Sequence, residues 1–187
     1  MSTENNNLLI TLVGSSFAIL FTRAILRFLI LAFVLSIGGE ESLGSSLFSL
    51  MAVGTVFGGL FYSKIIVKIT ALKLMVFWLL YGIILFVMPL AAILSLKLIF
   101  VFAFVLGFTG AFVDISLVSA LQLYSRWEDL GKSFGTFSTL ANSTEAVSGF
   151  IAGFFALVGL LSSFLVMSAC IISTGMICVI KIKKIKR

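Results

Sequence analysis

Apolar residues run along this chain in long blocks rather than in strict alternation. Six blocks stand out, at about residues 8–36, 43–62, 71–90, 94–121, 136–157 and 160–180. Each is close to the ~20 residues that a helix needs to cross ~30 Å of hydrocarbon. The pattern therefore predicts an all-α, polytopic membrane protein with six transmembrane helices in one domain over residues 1–187. Between the last two blocks only Val158 and Gly159 suggest a turn, so a tight reversal is expected there.

Composition strengthens this reading. Hydrophobic residues make up 61% of the chain and charged residues 11%, and the mean hydropathy is +1.27. A chain of this length cannot hide so much apolar surface inside itself, because its surface-to-volume ratio limits burial. The bilayer has to act as the solvent. A secretory leader needs a basic start and a short apolar core. The first block is too long for that and follows MSTENNN, so it is expected to be a retained span.

Enzyme classes lose ground on the same inventory. The chain has no His, hence neither the commonest general base nor the commonest metal ligand. Cys170 and Cys178 share the last block and read as small hydrophobes. Gly131-Lys132-Ser133 looks like the end of a phosphate loop, but that motif needs a Gly where Arg126 stands. No cofactor and no metal is expected. Six helices with asymmetric charge do not suggest a ring-shaped pore either.

Charge between the blocks gives an orientation. Lys64, Lys68 and Lys73 lie at the second connection, Arg126 and Lys132 at the fourth, and Lys181, Lys183, Lys184, Lys186 and Arg187 in the tail. Alternating spans put all three groups on one side, opposite Glu40, Glu41 and Lys97. By the positive-inside rule both termini are expected in the cytoplasm of a cell-membrane protein. The basic tail directly after a span suits anionic headgroups better than nucleic acid. Residues 121–135 form the longest polar interruption, with Tyr124 and Trp127, and predict a short amphipathic interfacial piece.

Four ionisable residues fall inside apolar blocks: Arg23, Arg27, Asp114 and Glu145. Each costs roughly 2.5–3.5 kcal/mol at the bilayer centre on insertion scales, so all should face the bundle interior or a wet cavity. At a rise of about 1.5 Å per residue, Glu145 lies roughly 14 Å and Asp114 roughly 10 Å from the same membrane face. Arg23 sits near midplane and is expected to pair with Glu145 or Asp114, with Arg27 nearer the outer half. Ser138, Asn142, Glu145 and Gly149 share one helical face. That face reads either as a cavity lining or as a polar network joining helices. Small residues at Gly54 and Gly58, Gly107 and Gly110, and Gly149 and Gly153 mark expected close helix contacts within the bundle or against a partner.

The stretch from Gly107 to Phe155 resembles the fourth and fifth helices of the C-terminal half of a major facilitator superfamily transporter, of the macrolide-efflux kind. The residues that carry the likeness are Gly107, Gly110, Gln122, Glu128, Asp129, Gly131, Lys132, Gly149 and Gly153. Residues 43–64 similarly resemble a second helix leading to a basic loop, although Tyr62 and Ser63 stand where the family has an Asp. The likeness implies a 3+3 inverted repeat, half of a twelve-helix transporter, with substrate bound between halves near midplane. It also implies proton-coupled efflux of a small molecule by alternating access, with Glu145 or Asp114 as the titrating carboxylate. Arg23, Arg27, Asp114, Asn142 and Glu145 would line the pathway. The partners so implied are the bilayer, a second six-helix half (another copy or a separate chain), the substrate and protons. The other reading is a membrane protein without transport: an accessory or immunity subunit, or a remnant, its charges structural.

Overall fold

The computed structural model describes residues 3–66 and 68–185. Lys186 and Arg187 of the basic tail lie outside them. Six helical rods follow one another, with no strand among the described residues. Rod α1 covers residues 3–36, with α-helix Thr3–Ala24 and Ile30–Ser36 on either side of a π-helical turn, Ile25–Leu29. Then come α2 (Glu41–Ile65), α3 (Ala71–Leu94), α4 (Leu98–Tyr124), α5 (Leu130–Ala156) and α6 (Leu160–Ile185).

The ends follow from local chemistry. Gly38 takes φ +84°, and Gly39 N–H donates to the Val34 carbonyl at 2.9 Å, the left-handed stop that favours glycine. Thr70 caps α3 by accepting from Lys73 N–H at 3.3 Å. The reversal expected at Val158 and Gly159 is present, with Gly159 at φ +119°. Two boundaries shift. The third block, expected to end near residue 90, continues as helix through Pro89 to Leu94. The interfacial piece shrinks to a single 3-10 turn, Trp127–Asp129, so Gly131 and Lys132 belong to the first turn of α5.

Five rods are long and apolar enough to cross a bilayer, which is the character of a membrane-embedded protein. Rod α5 is long enough but falls short on apolarity. Its first half carries Lys132, Ser133, Thr136, Ser138, Thr139, Asn142, Ser143, Thr144 and Glu145. Outward-facing Val56, Leu60, Ile93, Val101 and Phe150 supply an apolar exterior that only lipid or another apolar surface would tolerate.

In the packing, α2 lies against α4, and α3 against α6 and α4. Rod α1 lies against α5 and α6, and α5 touches little besides α1. The core centres on Leu74, Met75, Leu85, Leu106, Phe164 and Met167. Glycines decide how closely two of these pairs approach. A methyl group at Gly54 or Gly58 would overlap the carbonyl oxygens of Phe104 and Phe108, and one at Gly107 that of Met51. A Cβ at Gly175 would come 2.7 Å from Leu79 Cγ, so α3 and α6 also meet through a glycine that the sequence pattern had not singled out. The equally spaced Gly149 and Gly153 behave differently. A Cβ at 149 meets only the Phe28 ring, at 3.2 Å, and one at 153 meets nothing within 4 Å. Among the described residues these two are not backbone-packing positions, because only the Phe28 ring of α1 reaches that face of α5.

Candidate functional site

Arg23 and Arg27, four residues apart on α1, present their guanidinium groups on one side. Both reach the same carboxylate on α5. Arg23 Nη1 donates to Glu145 Oε2 at 2.5 Å, and Arg27 Nη1 pairs with Glu145 Oε1. Of the two acids proposed for Arg23, the structure selects Glu145. It also brings Arg27 to that carboxylate rather than leaving it to the outer half. The π-helical turn begins two residues after Arg23 and contains Arg27; its wider loop is visible in the Ile30 N–H donating to the Ile25 carbonyl. This cluster is the polar part of the α1–α5 contact, beside the buried Ala141, Ser148 and Ala152.

Asp114 is not in this cluster. It lies exposed on α4 and forms no ion pair among the described residues. It does share a cavity of about 430 Å³ with Arg23, in the gap where α4 and α5 barely touch. Thr22, Trp78, Tyr81, Gly110 and Phe137 also line it. Gly110 is therefore a wall of this cavity, in ordinary contact with Tyr81 at 3.5 Å from a Cβ, rather than a tight helix crossing. Thr22 Oγ1 is buried without a hydrogen-bond partner among the described residues. Asn142 and Ser138 stand exposed on α5 and do not line the cavity.

Sequence reading had not found the aromatic wall. Trp78 and Tyr81 meet edge to face with ring centroids 6.0 Å apart, and Trp78 Nε1–H donates to the buried Ser15 Oγ at 3.2 Å. In a helix as uniformly apolar as α3 these rings give no periodic signal; only their polar atoms hint at a special place. Ser15→Ala leaves the indole donor buried and unpaired. It should lower stability by about 1–2 kcal/mol in detergent melting, and cost little when Trp78→Phe is already present.

Comparison with family models, with curated proteins and with solved structures finds no match.

Proposed function

We propose that this chain is half of a secondary transporter of the major facilitator type, moving a small molecule by alternating access once joined to a second six-helix half. The observation that carries this reading is the cavity between α4 and α5. A carboxylate and a hydroxyl that have no direct ion-pair or hydrogen-bond partner among the described residues, a guanidinium and two aromatic rings converge on it. Ionisable groups at membrane depth are expensive, and Asp114 is tolerable where it meets water or a ligand rather than acyl chains.

Two further features support it. The exposed polar residues of α5 need water or protein in front of them, and a second half would provide both. The packing pairs α2–α4 and α5–α1, and α3–α4 and α6–α1, exchange when α1, α2 and α3 are swapped for α4, α5 and α6. The α3–α6 pair maps onto itself, as an inverted repeat of three plus three requires. In this reading Asp114 carries the proton, Arg23 poises the cavity, and both termini face the cytoplasm. Glu145 is occupied as the clamp between α1 and α5, so the titrating role passes to Asp114.

The test is Asp114→Asn in proteoliposomes with an imposed proton gradient, scored by dye or drug accumulation. Loss of gradient-driven movement by tenfold or more, with unchanged melting temperature, is expected. Wild-type protein that moves nothing, alone or with a partner half, favours the structural reading of the Arg23–Arg27–Glu145 cluster in a non-transporting subunit.

A further inference from the structure

A second groove lies away from the charged cavity, between the start of α1 and the end of α6. One part, of about 470 Å³, is walled by Leu9, Val13, Phe17, Thr174, Ile177 and Lys181, with Gly14 and Cys178 also lining it. The adjoining part, of about 430 Å³, is lined by Asn6, Lys181 and Lys184. Leu9, Ile10 and Lys181 border both, so the two adjoin along one groove. Its inner end is almost wholly apolar. Its outer end carries two ammonium groups and an amide.

Position and length narrow the occupant. Lys181 and Lys184 are three residues apart on a helix, hence neighbours on one face. From Thr174 to Lys184, and from Asn6 to Phe17, the groove runs about 15 Å along the helices. That is half of a ~30 Å hydrocarbon core, the depth of one leaflet. Gly14 sets the groove's depth, since a Cβ there would come 2.8 Å from Cys178 Sγ. The two helices approach closely at that point, while Leu9, Val13, Phe17 and Ile177 stay half exposed along the rim.

We propose that this groove is a binding site for one anionic phospholipid, an acyl chain lying between α1 and α6 and the phosphate held by Lys181 and Lys184. An apolar slot one leaflet long with paired cations at the headgroup end matches such an amphiphile in shape and in charge. A zwitterionic lipid fits the slot but leaves the two ammonium groups without net opposite charge. The site is independent of the transport reading.

The experiment is native mass spectrometry of the full chain from nanodiscs holding equal phosphatidylglycerol and phosphatidylcholine. Wild type should retain phosphatidylglycerol at least fivefold over phosphatidylcholine. Lys181→Gln should abolish the preference, whereas Lys183→Gln, on the same tail but outside the groove, should keep it. Equal losses in both variants would reduce the effect to general attraction of a basic tail and overturn the site. So would retention of both lipids alike by wild type. A third variant, Ile177→Trp, fills the slot and leaves the charges; it should lose bound lipid too. If 10 mM inorganic phosphate displaces the lipid, the site is a phosphate site and the proposal fails.

Discussion

Gly107→Ala should be the most damaging single methyl group that can be added to this protein. The new Cβ would overlap the Met51 backbone carbonyl, which cannot rotate away as a side chain can. Helices α2 and α4 must then separate, and α2 has little other contact with the bundle than its long face on α4. Overpacking a dense core costs about 1–3 kcal/mol and more where only backbone can move. We expect the upper end, seen as a collapse of folded yield in mild detergent and a melting temperature lowered by ten degrees or more. The matched control is Gly153→Ala, which has the same GxxxG spacing on α5 but open space before it, and should melt like wild type. A Gly107→Ala protein as stable as Gly153→Ala would show that the α2–α4 contact is looser than described.

Glu145→Gln should be the second largest effect. It leaves two guanidinium groups on α1 facing one neutral amide. Removing one partner of a buried pair costs about 3–5 kcal/mol, whereas exposed pairs contribute about 0–1. The side chains here are between these limits, with Glu145 31% exposed, Arg23 34% and Arg27 55%. A loss of about 2 kcal/mol is the reasonable expectation, concentrated on α5, which has α1 as its main neighbour. Limited proteolysis near the α5–α6 turn should accelerate in parallel. Adding Arg27→Gln to Glu145→Gln should recover part of the loss, because one uncompensated cation is removed. If the double variant is worse than the sum of the singles, the arginines are held by something other than this carboxylate.

Much of this architecture was legible without coordinates, for a simple reason. A bilayer demands long apolar runs, and such runs are written directly in composition, so the number and order of rods could be read off. Their ends moved by a few residues where polar turns such as Leu130–Ser133 continue a helix past its apolar part. The glycines divide instructively. Gly54 and Gly58 meet the backbone of α4, and Gly149 and Gly153, with the same spacing, meet no backbone at all. Spacing says which residues share a face, and nothing about what lies opposite. The charges divide likewise. Depth along the helices left Arg23 to Glu145 or Asp114 alike and gave Arg27 to neither; which carboxylate both arginines reach depends on how α1 and α5 cross. The cavity wall of Trp78 and Tyr81 was illegible because a ring inside an apolar helix is the expected filling, whatever it borders.

The polarity of α5 also bears on how the chain enters the membrane in the first place. A segment with Asn142, Glu145 and a run of hydroxyl residues gains little by leaving the translocon for lipid on its own. Rod α6 is strongly apolar, and only the short turn at residues 157–159 separates the two. Biogenesis is therefore cheapest when α5 leaves with α6 as one hairpin, its carboxylate handed directly to the arginines of an α1 already in place. The ion cluster that joins the first and fifth rods is, in that sense, a checkpoint of assembly, closing only after the four rods before α5 have been made.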